Sequence, residues 1–394
     1  MRQFRIGSVF GIPIKIDLTF LLVLPLFAWI IGSQVGTWVT QLDALPGAAI
    51  DVGPLTAGPM PWVLGAVAAV GLFVGVILHE LGHSLVAMRY GFPIDSITLW
   101  IFGGIAHLTD MPEDWRQELA IAIAGPIVSI ALGAVCYAGF LVLPTSLDVG
   151  RFLLGYLALM NVVLAAFNLL PGFPMDGGRV LRALLARNRP FARATQIAAE
   201  VGKGFALLLG LFGLLQFNII LIAIAFFIYV GASSEAQQTA MKAAFEGVTV
   251  RDVMTPADEV EAVSPDTSVA DLIERMFAER HTGYPVVRDG DLVGLVTLED
   301  AQSVRPVERE AFEVEEIMSR DLTTVPIDAG AMAAFSALQS NGIGRLVVVD
   351  ARGEFVGLVT RSDLMTAFDV IQTRGPAGTD SPTGGTGIGS RRGL

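Results

Sequence analysis

At 394 residues, with 53% apolar side chains and a mean hydropathy of +0.61, the chain is long enough for two or three domains and too apolar to be wholly water-soluble. Its formal charge of −12 is uneven: residues 1–240 carry 12 basic and 13 acidic side chains and residues 241–394 carry 14 and 25, so the later part is soluble and acidic, which argues against nucleic acid as a partner. The single cysteine, Cys136, excludes a disulfide framework and a thiolate zinc site.

Residues 1–17 are mildly basic through Arg2, Arg5 and Lys15, and the apolar run 18–39 follows without a small-residue cleavage site, which predicts a retained first membrane helix. Residues 40–61 hold Asp43 and Asp51, several Pro and Gly, and no Lys or Arg. The positive-inside rule therefore puts this loop outside and the N-terminus in the cytoplasm. A second helix, 62–88, carries no charge over 62–78 and then presents His79-Glu80-Leu81-Gly82-His83 in its cytoplasmic third. Residues four apart share a helix face, so both imidazoles can reach one metal ion with Glu80 beside it. Zinc accepts neutral imidazole nitrogens and leaves a position for water, and a neighbouring carboxylate can take a proton; that is a hydrolase site. The plainer alternative is a polar helix end at the membrane surface, anchored by Arg89 and Tyr90.

Residues 94–100 and 105–109 have strand-like composition around Phe102-Gly103-Gly104, a hairpin that would dip toward the site. His107 within it reads better as an interfacial histidine than as a ligand, because two helical histidines and one carboxylate already complete a catalytic zinc set. A third helix covers 118–143, with Gly125-Pro126 marking a kink or a close helix contact. The fourth, 152–170, breaks at Asn168-Leu169-Leu170-Pro171-Gly172-Phe173-Pro174-Met175-Asp176-Gly177-Gly178, and broken backbone at membrane depth needs protein or water around it. Its end lies at the same depth as the histidines, which makes Asp176 the candidate third ligand; a simple turn or cap residue is the alternative. Asn168 is suited to hold a substrate carbonyl, an oxyanion or a second polar group, or to pack helix on helix.

Arg179, Arg182, Arg187, Arg189 and Arg193 then read as a cytoplasmic basic segment, and 197–232 as two helices turning at Gln216-Phe217-Asn218. That makes six spans, followed by a polar helical linker, 233–247. From residue 248 the pattern repeats: Val253-Met254-Thr255 recurs as Ile317-Met318-Ser319, and Leu292-Val293-Gly294-Leu295-Val296-Thr297 recurs 63 residues on as Phe355-Val356-Gly357-Leu358-Val359-Thr360, with Asp300 and Asp363 in register. Residues 372–394, rich in Gly, Ser, Thr and Pro, read as a disordered tail.

Together, His79-Glu80-x-x-His83, the Phe102-Gly103-Gly104 hairpin, and Asn168 with Pro171 and Asp176-Gly177-Gly178 resemble the site-2 protease family of intramembrane zinc metalloproteases over about residues 5–232. Residues 248–371 resemble a tandem pair of cystathionine-β-synthase (CBS) domains, 248–304 and 312–371. The fold class implied is an α-helical polytopic membrane domain of about six transmembrane helices over 1–232, followed by an α/β tandem CBS pair. The resemblance implies one Zn2+ per chain on His79, His83 and Asp176, with Glu80 as general base. It also implies a transmembrane protein substrate of the anti-sigma-factor or membrane-tethered transcription-regulator class. Its Thr-x-x-Asp nucleotide pattern falls on Thr297 with Asp300 and on Thr360 with Asp363, which implies an adenine nucleotide, and the CBS pair offers a surface for a homodimer. The expected place is the cell membrane, with the N-terminus and CBS domains cytoplasmic. A CBS-gated transporter or channel is the rival, though it would more often show paired helix repeats and several intramembrane acids.

Overall fold

The computed structural model describes residues 3–47, 49–100, 103–108, 112 and 114–374, which divide into two compact units, Met1–Thr239 and Ala240–Leu394. The first unit opens with β1 (Gln3–Val9) and β2 (Ile12–Asp17), then α1 (Phe20–Ser33), α2 (Val35–Leu42), α3 (Val52–Thr56) and α4 (Met60–Arg89). A hairpin of β3 (Ile94–Trp100) and β4 (Gly103–Leu108) precedes α5 (Trp115–Val142), α6 (Asp148–Asn168), α7 (Asp176–Ala186), α8 (Phe191–Leu215) and α9 (Ile219–Ala244). Phe102 of the expected hairpin tip and residues 375–394 of the expected tail lie outside the described residues.

Among the described residues five helices, α4, α5, α6, α8 and α9, are long and apolar enough to cross a membrane. At 21 to 30 residues each, they match the ~20 that a hydrocarbon core of ~30 Å requires. The expected first span, 18–39, is a pair of helices, α1 and α2, bent by 67°; together they are long and apolar enough to count as the sixth span. The bend lets Val35, Val39 and Leu42 of α2 bury against Phe140, Phe152 and Tyr156 of α5 and α6. Burial outweighs the straight run that the apolar composition suggested. Exposed Leu207, Leu208 and Leu211 on α8 and Ile219, Ile220 and Phe226 on α9 form a surface fit for lipid.

The N-terminal stretch, expected only as a basic lead-in, is a hairpin that joins the second one in a single sheet of order β1-β2-β3-β4. Ile12, Ile14 and Ile16 alternate with Pro13, Lys15 and Asp17, and β2 pairs with β3 in parallel, Ile14 opposite Ile97. Ile12 and Ile97 pack on Leu81 of α4, so the sheet is seated on the helix that carries the two histidines, on the flank turned away from their shared face. β4 is the last strand of this order, which leaves a sheet edge there among the described residues.

In the second unit the two repeats are β5 (Thr255–Pro256), α10 (Val269–Glu279), β6 (Gly283–Arg288), β7 (Asp291–Thr297) and α11 (Leu298–Ser303), then α12 (Val314–Ile317), β8 (Thr324–Pro326), α13 (Ala331–Ser340), β9 (Arg345–Val349), β10 (Phe355–Thr360) and α14 (Arg361–Arg374). The repeats exchange a strand: β5 of the first pairs with β10 of the second, in the order β5-β10-β9-β8. Each repeat has its own apolar cluster, one around Leu346, Val348 and Leu364 and one around Val286, Val296 and Val314. Helix α14 runs three residues past the expected start of the tail. Ile371 packs on the second repeat's cluster and no Gly or Pro interrupts Gln372-Thr373-Arg374, so the helix persists.

Candidate metal centre

Helix α4 carries His79 and His83 one turn apart, both buried. The two Nε2 atoms are 3.2 Å apart, and each lies 3.1 Å from Asp176 Oδ2. A tetrahedral zinc site with Zn–N and Zn–O bonds of about 2.0–2.1 Å has ligand atoms about 3.3 Å apart, so this triangle is the size of one face. His83 Nδ1 donates to the Ile121 carbonyl at 2.7 Å, which leaves a bare lone pair on Nε2. His79 Nδ1 meets Ser129 Oγ at 2.9 Å and is oriented in the same sense. Lone pairs and a carboxylate thus converge in one place, an arrangement a cation relieves. Opposite them, a Cβ on Gly125 of α5 would collide with His83 Nε2 and stand 2.7 Å from His79 Nε2. That glycine keeps open the space at the imidazole tips, and the donor set fits zinc.

Asp176 reaches the histidines because of the glycines after it. It is the first residue of α7, and a Cβ on Gly177 would fall 2.5 Å from the Leu169 carbonyl, while one on Gly178 would fall 2.5 Å from Phe173 N. Only residues without side chains let the helix start folded back against the end of α6. Glu80 is half-buried beside β4, and a Cβ on Gly104 would stand 2.6 Å from Glu80 Cγ. Gly104 of the expected hairpin motif therefore allows close passage of the strand. The side chain of His107 lies outside the described residues.

His79, Glu80, Gly104 and Asn168 line a cavity of about 660 Å³ whose other walls include Phe27, Phe73, Phe167 and Phe227. Asn168 Nδ2 donates to the Leu164 carbonyl at 3.0 Å, so its amide is tied to its own helix while it borders the cavity.

Sequence reasoning missed three features here. Ser129 and the Ile121 carbonyl orient the histidines, and both lie on α5 in a stripe with Glu118 and Gly125, a spacing that a helical wheel of the third span would have shown. The third is a correction: Arg182 is not part of an open cytoplasmic segment. It is 1% exposed on α7 and donates to Glu118 and Glu235, both at 2.6 Å. Read as sequence, a cluster of arginines after a helix break looks like a topology signal; the acids that bury this one are 64 and 53 residues away.

In the second unit Thr297 and Asp300 form a capping box at α11: Thr297 N and Oγ1 donate to Asp300 Oδ2 at 2.8 and 2.6 Å. Thr360 donates to Asp363 in the same way at the start of α14, at 2.8 Å from both atoms. Each pair also lines a cleft. The first, about 450 Å³, adds Glu299, Asp321 and Arg345; the second, about 690 Å³, adds Arg280, His281, Arg345 and Arg361.

A family profile described as peptidase family M50 matches residues 67–152 and 146–209, and the CBS domain profile matches 250–305 and 314–370. The zinc metalloprotease MJ0392 of Methanocaldococcus jannaschii is 34% identical over 373 residues, which is 94% of this chain and 97% of that protein. Among solved structures, a site-2 protease from Methanocaldococcus jannaschii is 37% identical, covering 60% of this chain and 95% of that one with a TM-score of 0.40. A CBSX2 in complex with AMP is 30% identical, covering 32% and 99%, with a TM-score of 0.29.

Proposed function

The chain belongs to peptidase family M50, the site-2 proteases, as a multi-pass zinc metalloprotease with a CBS pair, and from that premise we propose that it cleaves a transmembrane segment of a partner protein and releases a cytosolic fragment. The observation that carries this reading is the close triangle of His79, His83 and Asp176, whose His79 lines, together with Glu80, a largely apolar cavity. A hydrolytic centre opening on a phenylalanine-walled cavity suits an apolar peptide. The rival reading as a transporter or channel has no observation in its favour.

His79, His83 and Asp176 are the proposed ligands, held by Ser129, the Ile121 carbonyl and the α7 glycines. Zinc, when bound, supplies a Lewis acid that polarises a carbonyl and acidifies a water. Glu80 then accepts the proton of the attacking water and passes it to the leaving amide nitrogen, so that the carboxylate ends as it began. We assign the substrate carbonyl to the Asn168 amide, on the ground that it borders the same cavity as His79 and Glu80.

A helical peptide bond is hidden by its own hydrogen bonds and must be unwound before attack. The β4 edge, passing Glu80 at Gly104, offers main-chain partners to the unwound segment that lipid lacks. Substrates with Gly or Pro near the scissile bond are therefore preferred. The substrate class is a membrane-tethered transcription regulator or anti-sigma factor. The N-terminus and CBS pair face the cytoplasm. In the CBS unit we assign an adenine nucleotide to the Thr-Asp clefts and a homodimer to the pair; the support is a duplicated hydroxyl-carboxylate pair bordering a cleft with Arg345. A ligand there changes activity only by as much as it prefers one arrangement over another.

The test is reconstitution in vesicles with a single-span substrate carrying or lacking a central Gly-Pro. Glu80→Gln should lower cleavage by about 10³-fold with zinc retained, within the range of general acid-base catalysis. Near wild-type cleavage by that variant removes the assigned role, and equal rates for the two substrates remove the strand-edge model. Calorimetry on residues 240–374 with ATP and AMP tests the clefts. No heat at millimolar nucleotide, or binding unchanged by Asp300→Ala and Asp363→Ala, removes the nucleotide.

A further inference from the structure

Arg182 lies six residues after Asp176 on the same helix, about 9 Å along its axis. Its Nε donates to Glu118 Oε1 at 2.6 Å, its Nη2 stands 2.5 Å from the same oxygen, and its Nη1 donates to Glu235 Oε1 at 2.6 Å. The guanidinium also faces the rings of Phe173 and Phe191, at 5.0 and 4.7 Å from their centroids. One side chain thereby ties α7 to α5 and α9. Burying such a cluster is a poor way to gain stability, because desolvation cancels most of the attraction and apolar replacements of similar volume are often as stable. What a buried, forked cation does well is hold two carboxylates at set positions.

The partner on α5 is telling. Glu118 shares a helix face with Ile121, Gly125 and Ser129, at successive spacings of three, four and four residues. Those three contribute the carbonyl behind His83, the space at the imidazole tips and the hydroxyl behind His79. The face that orients both histidines is therefore the face to which Arg182 anchors the helix that begins with Asp176. Nothing in the proposed reaction uses this arginine.

We propose that Arg182, through Glu118 and Glu235, is a positioning residue of the metal centre: it locks α7 against the histidine-orienting face of α5 and so sets where the Asp176 carboxylate meets His79 and His83. The inference rests on the reading of those three side chains as metal ligands. Lysine, with one ammonium on a single stem, cannot span both carboxylates in this way, and methionine fills the volume without the charge.

Arg151 is the matched control. It is equally buried, donates to the Phe140, Leu143 and Gly47 carbonyls, and approaches α5 about 33 Å further along that helix, counting from Glu118 to Phe140. The experiment uses the full chain in detergent: wild type, Arg182→Met, Arg182→Lys and Arg151→Met, each checked for folding by circular dichroism and thermal unfolding. Zinc dissociation constants are measured by chelator competition, and the ligand field is read from the visible spectrum of the Co2+-loaded protein. Arg182→Met should weaken zinc binding by about 10–100-fold, as loss of a ligand-orienting partner does, and should alter the cobalt bands; Arg182→Lys should weaken it less. Arg151→Met should melt earlier with zinc affinity and cobalt spectrum unchanged. Affinity within twofold of wild type and unaltered bands in folded Arg182→Met, or equal zinc loss in Arg151→Met, overturns the proposal. Should Arg182→Met fail to fold, Arg182→Lys decides: weakened binding supports the proposal and unchanged binding overturns it. A wild type that binds neither metal refutes the metal centre itself.

Discussion

The two units treat charge in opposite ways. In Met1–Thr239 ionisable groups are few, and most of the buried ones are bound into constellations, His79 and His83 with Asp176, Arg182 with Glu118 and Glu235, Arg151 with three carbonyls, while buried Asp17 accepts from Thr19. In Ala240–Leu394 they are abundant, and pairs such as Arg251 with Asp328 stand at the surface with 59% and 79% of their side chains exposed. An ionisable group away from water must be paired, so in the first unit its presence signals a role. In the second unit the same residue types signal little, and even the duplicated Thr-x-x-Asp serves first as a helix cap.

The largest effect that would break this comparison is at the metal centre. His83→Ala and Asp176→Ala should each take zinc from about one ion per chain to near none by atomic emission, and activity with it; full zinc content in either variant would return that residue to a structural part. Next comes a stability contrast. Glu118→Leu leaves Arg182 buried without its nearest carboxylate and should destabilise the first unit by about 3–5 kcal/mol. Asp328→Ala, at the surface, should change the second by less than about 1 kcal/mol. Similar shifts in the two melting curves would dissolve the distinction between the units.

Smaller is the cap. Thr297→Ala and Thr360→Ala should each cost about 1 kcal/mol in the second unit by denaturant titration, since each hydroxyl satisfies a helix-terminal amide. The smallest effect is local. Glu279 is held down to about 2 by the Tyr284 hydroxyl at 2.5 Å, then by hydrogen bonds with Glu261 and Arg275. A depressed carboxyl favours the folded state fully above the ordinary carboxylate range and loses that contribution as pH falls toward 2. Tyr284→Phe should move the Glu279 midpoint upward in a carboxyl NMR titration, and an unmoved midpoint would assign the depression to Arg275 and Glu261 instead.

Much of the centre was legible in the chain because lipid is a strict solvent. His79, Glu80, His83 and Asp176 stand out against apolar runs, and the depth of each helix end follows from 1.5 Å per residue. Apolar run length located the five long helices, strand-like composition around Gly103-Gly104 the second hairpin, and the internal repeat exposed the CBS pair. What could not be read were choices made between distant segments. The α1–α2 bend follows from burial of Val35, Val39 and Leu42 against residues a hundred positions on. The N-terminal hairpin becomes part of the sheet only by finding Ile97.

Local composition thus determined which residues can ligate, which segments can enter lipid and where the chain repeats, because each depends on a neighbour-range property: side-chain chemistry, helical spacing or hydropathy. Folding alone supplied the partners. Ser129 for His79, the Ile121 carbonyl for His83, the absent Cβ of Gly125 at their tips and the acids that bury Arg182 come from other helices. A helical wheel shows that Ile121, Gly125 and Ser129 share a face but not which helix that face meets, because packing is decided by the whole unit at once.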